Sequence, residues 1–106
     1  MAWTALLIAG VLEVVWAFTM KHSDGFTRLA PTLITLIALV ASLALLSIAM
    51  RDLPLGTAYT IWTGIGAIGA FLVGVFVLGE PASVARLTAA LLIVAGILLM
   101  KLAPEA

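Results

Sequence analysis

Charged side chains in this chain fall into short clusters, and between the clusters run four apolar stretches, each close to the length that crosses a lipid bilayer. The clusters are Lys21, Asp24 and Arg28; Arg51 and Asp52; Glu80 and Arg86; and Lys101 and Glu105. The stretches cover about 3–20, 29–50, 55–78 and 84–100. A helix rises about 1.5 Å per residue, so roughly 20 apolar residues span a hydrocarbon core of about 30 Å. Lipid offers no hydrogen bonds, so a spanning segment must satisfy its own backbone, and continuous apolar runs do so as helices. The expected fold is therefore all-α, with four transmembrane helices running up-down-up-down and both termini on one side. Residues 1–106 then form a single integral membrane domain, with the lipid bilayer as its first partner.

Composition agrees. The chain is 65% hydrophobic and 9% charged, whereas soluble domains carry about 25% charged residues. Net charge is zero and no basic stripe exists, which argues against nucleic acid as a partner. With no cysteine there is no disulfide, thiolate metal site or catalytic thiol. His22 stands in a loop without other ligand-type neighbours, so no metal is expected. Nor does any residue set suggest catalysis or a cofactor, and the chain does not read as an enzyme. The first stretch lacks a positively charged leader region and carries an acid, so it reads as a retained helix.

The connections carry their own punctuation. Asp24-Gly25 marks a turn in the first loop, and Pro31 falls at the start of the second helix, where its missing N–H does no harm. Arg51-Asp52-Leu53-Pro54 is a tight link. Gly79-Glu80-Pro81 ends the third helix, and Ser83 is placed to cap the fourth.

Glu13 breaks the pattern. It is the eleventh of the 18 residues from Trp3 to Met20, close to the bilayer midplane, and no basic residue shares its depth. An acid there costs several kcal/mol (order of magnitude) unless it is protonated, paired or facing a polar cavity. It marks a functional site, against the alternative of a protonated packing residue. Leu6, Ala9, Gly10, Trp16, Ala17 and Met20 share its helical face. Gly10 and Ala17 leave room beside the acid, and Trp16 brings an indole N–H one turn away.

Other polar and aromatic residues lie at depth. Tyr59 and Trp62 share a face of the third helix, with Gly66 a turn beyond; aromatic rings bind organic cations, though packing alone is the competing reading. Thr35 and Ser42 in the second helix either face a polar site or bond back to their own helix. Gly64, Gly66 and Gly69 spell G-x-G-x-x-G, but inside a membrane span they suit close packing or a bend rather than nucleotide binding. Ala89 and Gly96 form a weak small-residue seam for dimerisation in the fourth helix. Lys101 suits a snorkelling anchor.

Orientation is nearly unspecified. One side carries Arg51 and Lys101, the other Lys21, Arg28 and Arg86. Lys/Arg imbalance sets topology, and a difference of one is almost none. Many transporters contain inverted repeats; no internal repeat exists here, but two copies inserted in opposite directions supply one.

Three segments carry a family resemblance: Ala-Gly-Val-Leu-Glu-Val-Val-Trp-Ala (9–17), Lys-His-Ser-Asp-Gly-Phe-Thr-Arg (21–28) and Leu-Pro-Leu-Gly-Thr-Ala-Tyr-Thr-Ile-Trp-Thr-Gly-Ile-Gly (53–66). Together they resemble the small multidrug resistance family, over essentially the whole chain. Trp16 three residues after the acid, Trp62-Thr63-Gly64 and the terminal Lys101 resemble its guanidinium exporter subtype. That resemblance implies a transporter of the bacterial cytoplasmic membrane, an antiparallel homodimer of dual topology that exchanges protons for guanidinium and small substituted guanidinium ions. It implies that Glu13 is the shared substrate and proton site. Trp16, Ser42, Tyr59 and Trp62 would form its hydrogen-bonding ring, with Gly10 a small residue lining the site, and Gly64, Gly66 and Gly69 the segment that bends. Thr19-Met20 and Ala89 depart from the usual family residues, the second leaving the packing seam less well defined.

Physical chemistry fits that implication. Guanidinium presents N–H donors in a planar fork that matches carboxylates. Two facing carboxylates without a cation repel, so at least one tends to hold a proton, and proton and cation compete. The competing readings are a quaternary ammonium or multidrug cation exporter of the same family, a non-transporting membrane subunit, and a cation channel. The subunit needs no acid at midplane, and a channel needs a continuous water path.

Overall fold

The structure, a computed structural model, describes residues 1–103 and contains four helices: α1 (Ala2–His22), α2 (Leu29–Ala49), α3 (Leu55–Phe76) and α4 (Val84–Leu102). All four are long and apolar enough to cross a membrane, and no strand occurs among the described residues. The protein is an all-helical, multi-pass membrane protein. Glu105 of the last charge cluster lies outside the described residues.

Local chemistry sets where each helix stops. α1 continues past Met20 through Lys21, whose positive charge suits the negative end of a helix dipole, and His22, whose Nδ1 lies 3.0 Å from the Phe18 carbonyl. Ser23 then closes it: the buried hydroxyl donates to the Met20 carbonyl (2.6 Å) and accepts from the Phe26 N–H (3.0 Å). The chain reverses through three consecutive left-handed residues, Asp24, Gly25 and Phe26, with φ of 51°, 69° and 67°. Glycine adopts this freely, whereas Asp24 and Phe26 are strained there and are held by the Ser23 bonds. α3 stops at Phe76 rather than Leu78. Val77 and Leu78 both donate to the Val73 carbonyl (2.9 and 3.2 Å), and Gly79 turns the chain away with φ 72°. Ser83 caps α4 as expected, accepting from the Arg86 N–H (3.2 Å).

The helices lie in a slab whose Cα extents are 45 × 35 × 17 Å. α1 is central, packed between α2 and α3, and α4 packs on the outer side of α3. At one corner the Lys101 ammonium stands 5.2 Å from the Trp3 ring centroid. Buried apolar side chains gather at the end of the slab that holds the N-terminus and the α2–α3 link. They are Leu6 and Ala9 from α1, Leu46 and Ala49 from α2, and Ala58, Ile61 and Trp62 from α3. Lipid is as apolar as leucine, so helices in a bilayer associate through close contact and hydrogen bonds rather than burial as such. Many leucines, isoleucines and valines along α2 and α4 are accordingly left exposed by the protomer. α4 buries none of its residues.

Candidate functional site

Glu13 lies on the α1 face that meets α3. Its side chain rests against Gly66: a Cβ at that position would stand 2.7 Å from Glu13 Cγ and would collide with the carboxylate. Any residue but glycine at 66 would therefore displace the acid. Glu13 Oε1 is buried without a hydrogen-bond partner, and so is Trp16 Nε1 one turn away. Two unmatched buried polar atoms, an acceptor and a donor, thus stand on neighbouring turns of one helix at mid-span.

Behind them is a hydrogen-bonded lock across three helices. The fully buried Ser42 hydroxyl donates to the Ala9 carbonyl of α1 (2.6 Å) and accepts from Trp62 Nε1 of α3 (3.0 Å). This differs from the expected ring. Ser42 has one proton and gives it to Ala9; Trp62 has one N–H and gives it to Ser42. Neither reaches Glu13 within one protomer. Tyr59 is half-exposed, its ring 5.6 Å from that of Trp62 and tilted by 49°. With Thr63 and Gly96 it lines a cavity of about 450 Å³ between α3 and α4.

Glycines set the distances between helices. A Cβ at Gly10 would meet Ile65 Cβ at 2.8 Å, and one at Gly69 would meet Val14 Cβ at 3.2 Å, so both serve the α1–α3 seam with Gly66. Gly64 faces the other way, against Ile97 of α4, whose Cγ1 would lie 2.8 Å from an added Cβ. α3 is a continuous helix through all three of its glycines. Ala89 and Gly96 lie exposed on α4, and a Cβ at Gly96 would meet nothing within 4 Å.

One polar contact had no counterpart in the sequence reading. The Thr19 and Thr35 hydroxyls are 2.6 Å apart, joining α1 to α2, and Thr35 also donates to the Pro31 carbonyl (2.7 Å). The available signal was two hydroxyls at similar depth near the same loop. Among the described residues no cluster of three or more His, Cys, Asp or Glu side chains exists that would hold a metal ion.

A family profile described as Small Multidrug Resistance protein matches residues 1–101. The chain belongs to that family. Three similar members carry the name guanidinium exporter. The one from Citrobacter freundii is 60% identical over 102 residues, 96% of this chain and 97% of its own length. The Salmonella typhi protein is 61% identical over 102 residues with the same coverage. That of Yersinia pseudotuberculosis is 56% identical over 103 residues, covering 97% of this chain and 99% of its own. In this small multidrug resistance protein, then, the orphaned Glu13 oxygen and Trp16 N–H lie in a chain that matches exporters end to end.

Proposed function

We propose that this protein exports guanidinium and small substituted guanidinium ions across a bacterial cytoplasmic membrane in exchange for protons, the whole chain acting as one transporter domain in an antiparallel homodimer. The observation that carries the reading is the buried, unpartnered Glu13 oxygen at mid-span, with the unpartnered Trp16 N–H beside it. The names of the relatives support the choice of cation.

In this reading Glu13 holds either a proton or the cation. The planar ion donates N–H bonds to the carboxylate, and charge-assisted bonds of this kind are roughly twice as strong as neutral ones. Trp16 orients the carboxylate from one side. The lock of Ala9, Ser42 and Trp62 keeps the wall of the site rigid, and Tyr59 extends its aromatic surface. A second copy in the opposite orientation brings a second Glu13, so that two protons neutralise the pair, or one cation neutralises one carboxylate while the other holds a proton. The dimer changes its exposed side when loaded and rarely when empty, which couples inward protons to outward cation. Gly64, Gly66 and Gly69 give α3 the freedom to bend during that change. Ala89 and Gly96 sit on the helix that leaves its faces uncovered, where a second copy packs.

Reconstitution into liposomes tests this. Purified protein should move guanidinium against an imposed pH difference, and a protonophore should abolish that movement. Guanidinium flux indifferent to the pH difference would remove the coupling.

A further inference from the structure

The α1–α3 seam is packed shut at one end and open at the other. Toward the N-terminus it is closed by Leu6, Ala9, Ile61 and Trp62. Toward the first and third loops it widens into a cavity of about 200 Å³. Ala17 and Ala70 line that cavity, and they stand one helical turn beyond Glu13 and Gly66 respectively. Its walls then continue through Gly74 to Lys21 and Glu80 at the loop end. The cavity therefore lies on the loop side of Glu13, one helical turn from it along α1, with Val14 of the intervening turn in its wall.

Glu80 is held there by backbone geometry. Gly79 turns the chain at φ 72°, and the Glu80 N–H donates to the Gly74 carbonyl at 2.9 Å. Its carboxyl group lies over Gly74: a Cβ at that position would stand 3.0 Å from Glu80 Cδ. The exposed Glu80 carboxylate is thus placed beside the C-terminal end of α3, where the helix dipole is negative and also favours a cation. The volume suits a guanidinium-sized ion with a few waters, each occupying about 30 Å³ in the liquid. Lys21 lines the same cavity, so the site carries one acid and one base.

We propose that this cavity is a vestibular cation site, in which Glu80 receives a small cation bearing N–H donors before Glu13 does. The identity of that cation rests on the guanidinium reading above; the binding itself does not.

Two measurements on the full-length protein test the proposal. In liposomes at low ionic strength, Glu80→Gln should raise KM for guanidinium about threefold to tenfold with maximal rate kept, because steering charges change encounter rather than turnover. Glu80→Asp should restore most of the loss, and salt at a Debye length of about 8 Å should shrink the difference. Equal KM in Glu80→Gln and the parent at low salt would overturn the site, as would a loss confined to maximal rate. The second measurement needs no transport. Guanidinium chloride is titrated against sodium chloride at matched ionic strength into the Glu13→Gln protein, following the amide resonances of Gly74 and Glu80. Saturable shifts, absent after Glu80→Gln, support the site; unmoved resonances refute it. If those shifts occur while the parent protein moves no guanidinium, the export reading fails and the vestibular site stands.

Discussion

A buried polar atom without a partner costs about 1–3 kcal/mol, and more when it is charged. At Glu13 and Trp16 the protomer leaves two such atoms on neighbouring turns of α1, whereas the Ser42 hydroxyl accepts from the Trp62 N–H and donates to the Ala9 carbonyl. The contrast separates residues that build the site from residues that use it. Glu13→Gln keeps shape and removes the titrating charge. It should fold and dimerise normally yet lose proton-coupled guanidinium flux, and near-parental flux in Glu13→Gln liposomes would contradict the central role of the acid. Ser42→Ala acts differently. It orphans the Trp62 N–H inside a nearly closed core, so it should lower stability by about 1–3 kcal/mol, read as a lower unfolding midpoint in detergent. Ser42→Thr, which keeps the hydroxyl, should recover much of that loss.

At the level of elements, α3 joins α1 to α4: Gly66 and Gly69 admit α1, and Gly64 admits α4. Gly96 on α4 serves no contact inside the protomer, since an added Cβ there meets open space. Gly96→Leu should therefore leave the protomer's helicity and thermal unfolding unchanged while shifting the dimer toward monomer in crosslinking or mass measurements. An unchanged dimer would move the seam elsewhere. The four spans were legible because lipid forbids charge within them and the chain places its charges accordingly. Ser83 was legible because capping is a local code. The helix ends were less so: α1 ends where Ser23 reaches the Met20 carbonyl, and α3 where Val77 and Leu78 share the Val73 carbonyl and Gly79 turns the chain, details set by which carbonyls are within reach. The Ala9–Ser42–Trp62 lock was only half legible. Its side chains stood out at depth, but the acceptor is a backbone carbonyl, identical at every residue, and only the helix arrangement selects it. The Thr19–Thr35 contact escaped for the same reason. Spacing along one helix says nothing about register with the next.

On the scale of the whole molecule, the near balance of Lys and Arg gives almost no bias to the direction of insertion. With Arg51 and Lys101 on one side and Lys21, Arg28 and Arg86 on the other, a C-terminal tag should report both sides of the membrane in cells. Two added lysines in one loop should bias the population and reduce activity, and a copy biased the opposite way should restore it. A tag found on one side only would exclude the antiparallel homodimer.

In the proposed dimer, selectivity is also a property of the whole assembly, because the cation would meet groups from more than one helix. Glu13 rests against Gly66 with no space for a Cβ between them, so the site around the carboxylate is close-fitting rather than open. Guanidinium can donate directly to the unpartnered oxygen, and its flat shape fits between packed helices. A tetraalkylammonium ion has no N–H donor, needs more volume and gains only charge attraction and aromatic contact. Leaving a desolvated carboxylate without its donors costs a few kcal/mol, roughly 100-fold in affinity. Guanidinium and singly substituted analogues should therefore be transported, with tetramethyl- and tetraethylammonium poor substrates. Trp16→Gly removes both the indole donor and its bulk, so it should weaken guanidinium transport and ease entry of larger cations. Competition under a fixed proton gradient measures both effects. Comparable apparent affinities for guanidinium and tetraethylammonium in the parent protein would instead indicate a multidrug cation exporter.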